Sequence, residues 1–315
     1  MGKIAFIFPG QGSQTVGMGK SLTEVYPLSR ERFNQADQKL GYSLSNIIFE
    51  GPQDELTQTT NAQPALLTTC IAILEYFKQS GITPDYVAGH SLGEYTALVA
   101  AGAFSFEDGV YAVHKRGELM EKAVPNGEGT MAAVLGLDRE ILNEVTNDIT
   151  ESGDLVQLAN VNCPGQIVIS GTRKGIERAS IKAKEVGAKR VLPLEVSGPF
   201  HSGLMKPAAE NFKAILDEIT IENAKIPVIA NVSATEMEDA TEIKTKLIGQ
   251  LYSPVQWEQS VQKMIDLGVT TFIEIGPGKV LSGLVKKINR SAVIYAISDE
   301  STCQIAIEAL KEGKE

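Results

Sequence analysis

The stretch Tyr86-Val87-Ala88-Gly89-His90-Ser91-Leu92-Gly93-Glu94 decides how the rest of the chain is read. Residues 86–89 form a short apolar run of buried-strand length, and residues 92–101 are rich in helix formers, with only His90 and Ser91 between them. Gly89-His90-Ser91-Leu92-Gly93 is therefore a Gly-x-Ser-x-Gly pattern at a strand-to-helix turn, the setting in which a sharp bend exposes a serine hydroxyl as a nucleophile. The competing reading is a glycine-rich turn that packs a helix closely on a sheet, with Ser91 as a helix cap.

Outward from this turn, residues 3–8 read as a strand stopped by Pro9-Gly10-Gln11-Gly12, residues 62–77 as a helix ending at Gly81, and residues 106–123 as a second helix. This alternation predicts an α/β fold with a predominantly parallel sheet. After the turn cluster Pro125-Asn126-Gly127-Glu128-Gly129 the order changes. Strands at 130–137, 155–161, 166–170 and 189–196 and helices at 139–149 and 174–186 follow one another as β-α-β-β-α-β, the order of a ferredoxin-like unit. Residues 128–197 thus read as an inserted α+β small domain, and 1–127 with 198–315 as a discontinuous large domain. In its second part, short strands at 228–231, 271–275 and 293–296 again alternate with helices.

The composition limits the function classes. The 315 residues carry 29 Lys and Arg against 39 Asp and Glu, a net charge of −10, with 43% hydrophobic and 22% charged residues. Such a chain is neither disordered nor collagenous, and its acidity argues against nonspecific nucleic-acid binding. Cys70, Cys163 and Cys303 lie far apart without a Cys-x-x-Cys pair, so neither a zinc site nor a disulfide framework is read, and buried reduced thiols are expected. The N-terminal apolar run is too short for a signal peptide, no stretch is long and apolar enough for a membrane span, and Phe6 breaks the myristoylation pattern begun by Met1-Gly2. A cytoplasmic protein without membrane or nucleic-acid partners is expected.

Two phosphate-binding patterns fail. Gly10-Gln11-Gly12 would need glycine where Thr15 stands to be a dinucleotide fingerprint, and Gly19-Lys20-Ser21 would need glycine where Gln14 stands to end a P-loop. A serine nucleophile needs a base, and the chain offers His90, His114 and His201. His90 adjoins Ser91, so its side chain diverges from the hydroxyl, and His114 lies on a predicted helix beside Lys115 and Arg116. His201, in the constrained loop Ser197-Gly198-Pro199-Phe200-His201-Ser202, is the better base; the alternative is a capping or surface histidine. Acyl transfer also needs oxyanion donors: the Leu92 N–H supplies one, and the glycine-flanked Gln11 loop offers the other, unless it is only a tight turn. Arg116 shares a helix face with Met120. It is either a solvated arginine or, pointing inward, a fork for a substrate carboxylate.

Together, Phe8-Pro9-Gly10-Gln11-Gly12-Ser13-Gln14, Gly89-His90-Ser91-Leu92-Gly93-Glu94, Phe200-His201-Ser202 and Glu274-Ile275-Gly276-Pro277-Gly278 resemble the malonyl-CoA:acyl-carrier-protein transacylases of fatty-acid synthesis, over nearly the whole chain. The resemblance implies a hydrolase-like large domain with a ferredoxin-like insertion. It implies that Ser91 takes malonyl from malonyl-CoA and passes it to the phosphopantetheine thiol of acyl carrier protein, with His201 as base and acid. It further implies oxyanion donors at Gln11 and Leu92, a carboxylate-holding Arg116, and a backbone carbonyl at Gln250, in Gly249-Gln250-Leu251-Tyr252-Ser253-Pro254, that orients His201. No permanently bound cofactor or metal is expected, since coenzyme A enters as a thioester substrate. Carrier proteins of this pathway are typically acidic, so docking on a chain of charge −10 needs a local positive patch. Lys189-Arg190 and Lys286-Lys287 with Arg290 are the densest basic clusters, with plain solvated surface as the alternative reading. The rival functions are a serine esterase, which would release malonate without an acceptor thiol, and a binding module, which would form no acyl-serine.

Overall fold

In a computed structural model of the chain, which describes residues 2–125 and 127–312, ten strands form two sheets. Met1 and Asn126, used in the reading above, lie outside the described residues. The strands are β1 (Lys3–Phe8), β2 (Tyr86–Gly89), β3 (Gly129–Leu135), β4 (Val156–Cys163), β5 (Gln166–Thr172), β6 (Arg190–Pro193), β7 (Val228–Ile229), β8 (Glu236–Met237), β9 (Val269–Ile275) and β10 (Val293–Ile297). The larger sheet has the order β10-β9-β1-β2-β7-β8, parallel throughout except for the β7–β8 pair.

The apolar run of β1 lacks polar alternation because helices cover both faces of this sheet. Phe6 and Phe8 enter one core with Phe77, Leu66 and Leu98, while Ala5 and Ile7 enter the other with Phe272, Trp257 and Leu281. β1 lies between β2 and β9, and all three run the same way, so the loops that leave Phe8, Gly89 and Ile275 emerge at one edge of the sheet. In an open parallel sheet that edge is where ligands bind.

The smaller sheet is antiparallel in the order β4-β5-β3-β6, and the Arg139–Glu151 and Arg173–Glu185 helices pack on one face of it. Strand alternation divides its side chains: Val134, Leu158 and Ile169 meet Leu142 and Ile176 from those helices, while Met131, Ala159 and Val168 join the core of the larger sheet. The free edge of β4 is tied back by the Val161 N–H to the Val255 carbonyl (2.9 Å) and the Val255 N–H to the Ala159 carbonyl (2.8 Å).

Several elements depart from the sequence reading. β6 stops at Pro193, and Leu194 and Val196, read as its continuation, instead line a cavity. β7 has two residues, and a short antiparallel β8 follows it. The helix read at 62–77 spans Thr59–Phe77 and so starts earlier, and a helix at Pro27–Leu40 that the reading did not place precedes it.

Candidate active site

The two glycines of the elbow are demanded by close approach. A Cβ on Gly89 would stand 1.9 Å from the Gly93 carbonyl carbon, and one on Gly93 would stand 2.1 Å from the Phe8 oxygen. The turn between them is tight enough to hold Ser91 at φ 52°, the left-handed region that a side chain disfavours by about 1–2 kcal/mol. Hydrogen bonds hold it there. The Ser91 N–H donates to Asn231 Oδ1 (2.7 Å), Asn231 Nδ2 donates to the Gly89 carbonyl (2.7 Å), and Gln250 Nε2 donates to the Ser91 carbonyl (2.9 Å). The helix that follows begins at Gly93, and Ser91 makes no side-chain cap to it.

The Ser91 hydroxyl instead meets His201, whose Nε2 lies 2.8 Å from Oγ. His201 Nδ1 is 2.8 Å from the Gln250 carbonyl, which can only accept, so the proton resides on Nδ1 and the Nε2 lone pair faces the hydroxyl. His201 is itself at φ 57° and is buried. Burial first, then the positive charge of Arg116, pushes its pKa down to about 3, so the imidazole is neutral at physiological pH. The other histidines go elsewhere: His90 Nε2 pairs with Asn162 Oδ1 (2.8 Å), and His114 Nδ1 with the Thr60 carbonyl (3.2 Å).

Arg116 points inward and is 1% exposed. Its Nη2 donates to Ser91 Oγ (3.1 Å) and Gln250 Oε1 (2.9 Å), its Nη1 donates to Gln63 Oε1 (2.7 Å), and the guanidinium lies 5.3 Å from the Tyr95 ring centre. All three acceptors are neutral, which leaves a buried cation suited to an incoming anion. Gln11 and Leu92 line the same cavity, and among the described residues neither backbone N–H has a backbone acceptor in the loops around it. The Gln11 side chain anchors its loop by donating to Thr59 Oγ1 (3.1 Å).

The cavity holds about 370 Å³ and is walled by both sheets, with Gln11, Ser91, Leu92, Arg116 and His201 on one side and Met131, Asn160, Asn162, Gln166 and Val168 on the other. The basic clusters approach its edge from two directions. Lys287 Nζ donates to Gln166 Oε1 (3.0 Å). The Lys189 stem lies where a Cβ on Gly136 would be, 2.6 Å away, and the Gly136 N–H donates to the carbonyl of Gly165, the neighbour of Gln166 (2.8 Å). Arg190 is exposed at the start of β6, while Lys286 donates to the Ala292 carbonyl (3.1 Å).

Sequence reasoning did not single out Gln63, Asn231 or Asn162, and it read Glu94 only as part of a motif. Gln63 carried one signal, a polar residue within an apolar helical run. The others are recruited across long sequence separations that no local pattern records.

The chain matches the acyl transferase domain family over residues 5–314. A malonyl CoA-acyl carrier protein transacylase of Bacillus subtilis (strain 168) is 65% identical over 312 residues, covering 99% of this chain and 98% of that one. The crystal structure of an acyl carrier protein S-malonyltransferase from Vibrio cholerae O1 biovar eltor matches with a TM-score of 0.94 at 44% identity, over 96% of this chain and 99% of that one. A malonyl-transacylase solved in complex with a type II PKS acyl-carrier protein matches with a TM-score of 0.94 at 40% identity, over 98% and 99% of the two chains. By both sequence and fold, the chain belongs to the acyl transferase domain family and, within it, to the malonyl CoA-acyl carrier protein transacylases.

Proposed function

We infer that this protein transfers a malonyl group from malonyl-CoA to the phosphopantetheine thiol of acyl carrier protein, through a malonyl ester of Ser91, and so feeds fatty-acid synthesis. The observation that carries the mechanism is the 2.8 Å contact between Ser91 Oγ and the unprotonated Nε2 of His201. His201 takes the hydroxyl proton as Oγ attacks the thioester carbonyl, and the Gln250 carbonyl supports the imidazolium that forms. The oxyanion is met by the N–H groups of Leu92 and Gln11. As the tetrahedral intermediate collapses, the C–S bond breaks and the departing sulfur takes the proton from Nε2. The second half-reaction runs the same steps with the carrier thiol: His201 takes its proton, sulfur attacks the ester, and Oγ recovers its hydrogen. The kinetics are therefore ping-pong. No resident cofactor is required, since every bond and proton in this sequence is accounted for by substrate, serine and imidazole.

The two-sheet architecture supports a division into a large unit, residues 1–127 and 198–315, and a small unit, residues 128–197, with the cavity between them. Cytoplasmic residence is supported by three free, buried cysteines, and no helix among the described residues is long and apolar enough to cross a membrane. The intact mass of the protein after mixing with malonyl-CoA tests the central reading: it should rise by one malonyl unit and hold until a thiol acceptor is added. Rapid release of malonate in the absence of acceptor would favour an esterase instead.

Arg116→Ala should reduce malonyl transfer at least tenfold more than acetyl transfer, because only malonyl offers the guanidinium a carboxylate, and charged hydrogen bonds are worth about 1.5–3 kcal/mol. Stopped-flow comparison of the two donors checks this, and equal losses would assign Arg116 to structure alone. For the carrier protein, Lys189, Arg190, Lys286 and Lys287 form the docking rim in this reading. Charge reversal at Lys286 and Lys287 should raise the KM for acyl carrier protein several-fold while Ser91 acylation by malonyl-CoA persists. The native rate with carrier protein should also fall with salt, since exposed charges are screened over about 8 Å at physiological ionic strength. Unchanged carrier kinetics would move docking to another face.

A further inference from the structure

A carboxylate lies beneath the site without a part in the chemistry above. Glu94, in the first turn of the Gly93–Ala100 helix, is 1% exposed. Burying an ionised carboxylate is unfavourable unless hydrogen bonds compensate, and here both oxygens are used. Oε1 accepts from the Asn231 N–H (3.2 Å), and Oε2 accepts from Gln250 Nε2. These two partners are the residues that hold the elbow. Asn231 receives the Ser91 N–H, while Gln250 donates to the Ser91 carbonyl, accepts from Arg116 and presents its own carbonyl to His201.

The protonation state of Glu94 sets the direction of this network. An ionised carboxylate has no proton to give, so it requires that the Gln250 amide turn its NH2 towards Glu94 and Ser91 and its oxygen towards Arg116. A proton on Glu94, or an amide in its place, sets a donor against the Asn231 N–H or the Gln250 NH2. Turning the Gln250 amide over to relieve that conflict would set its NH2 against the guanidinium. One proton at Glu94 therefore disturbs the contacts of the Gln250 side chain to Ser91 and Arg116 together.

We propose that Glu94, acting as the carboxylate, is a positioning residue for acyl transfer, fixing Gln250 and Asn231 so that the Ser91–His201 pair is held ready. The proposal rests on the assignment of Ser91 and His201 above. Burial raises the Glu94 pKa to about 7, against the opposing pull of Gln250, the Asn231 N–H, Arg116 and Lys246. Of the other titratable groups here, Tyr95 is displaced upward by burial, His201 is held down at about 3, and burial also lowers His90, next to Ser91. An ionisation near pH 7 in the acylation step that vanishes when Glu94 is replaced therefore identifies it as the group responsible.

The test measures single-turnover acylation of Ser91 against pH, with malonyl- and acetyl-N-acetylcysteamine as donors because they carry no phosphate to titrate. In the native protein the rate should fall for both donors as pH drops through about 7. Glu94→Gln should be slower on the order of 10- to 100-fold at pH 8 and should lose that inflection, with its Tm recorded alongside. A merely structural role would lower Tm and leave the shape of the profile unchanged. A flat native profile with normal acylation overturns the role of Glu94 alone, and does so even if the variant fails to fold. A Glu94→Gln protein with native rate and profile overturns it as well. Absence of any Ser91 adduct in the native protein overturns the catalytic assignment, and the role of Glu94 with it.

Discussion

Ser91→Ala, mixed with excess malonyl-CoA, is expected to gain no mass, and its transfer rate is expected to fall by on the order of 10⁴- to 10⁶-fold. The loss should be this large because the cysteine thiols are in no state to replace the hydroxyl. The Cys70, Cys163 and Cys303 thiols are buried, and burial raises the pKa of each, away from the thiolate form that would be needed. The variant should keep its fold, since Ser91 is held mainly through its backbone, by Asn231 and Gln250. Malonyl-CoA binding to the variant, followed by calorimetry, should therefore survive. An adduct at another residue formed at the native rate would refute the nucleophile assignment.

His201→Ala is expected to lose a comparable factor in both half-reactions, measured separately as malonyl-enzyme formation and as its discharge to carrier protein. The hydroxyl would still receive the Arg116 Nη2 hydrogen bond, so the serine would stay in place with nowhere to send its proton. The residual rate should consequently climb with pH as hydroxide takes the place of the base, and added imidazole should restore part of it. The native enzyme should not need such help, because burial keeps the histidine unprotonated far below neutrality. Loss confined to one half-reaction would mean that a second group serves as the acid or base in the other.

How much of this was legible in the sequence depended on how locally each feature is encoded. β1 and β2 were read to the residue because Pro9 and the Gly89-His90-Ser91 turn end them abruptly. The ferredoxin-like order was readable because its two helices are amphipathic and its strands are apolar runs several residues long. β7 was found within the strand read at 228–231 but is only two residues long, and β8, also two residues, is too short to leave any periodicity. Leu194 and Val196 misled because an apolar residue facing a cavity has the same pattern as one in a strand. In the site, Ser91, Leu92 and Gln11 belong to turns whose glycines mark them. A helix face could not decide between a solvated and an inward Arg116, because what holds it are Gln63 and Gln250, distant in the chain. Asn231 and Glu94 meet across 137 positions, and no window of sequence records that hydrogen bond.

The central place of β1 bears on how the polypeptide is made. Residues 3–8 are made long before one of the two neighbours of that strand, which begins only at Val269. At about 5–20 residues per second, a β1–β2 pair must wait many seconds during synthesis with one hydrogen-bonding edge open and Phe6 and Phe8 incompletely covered. The β3–β6 unit, whose pairings all lie within a contiguous stretch, can assemble in that interval. The larger sheet closes last, when the C-terminal strands arrive, so a chain truncated before β9 exposes an apolar parallel edge to chaperones and to its own copies.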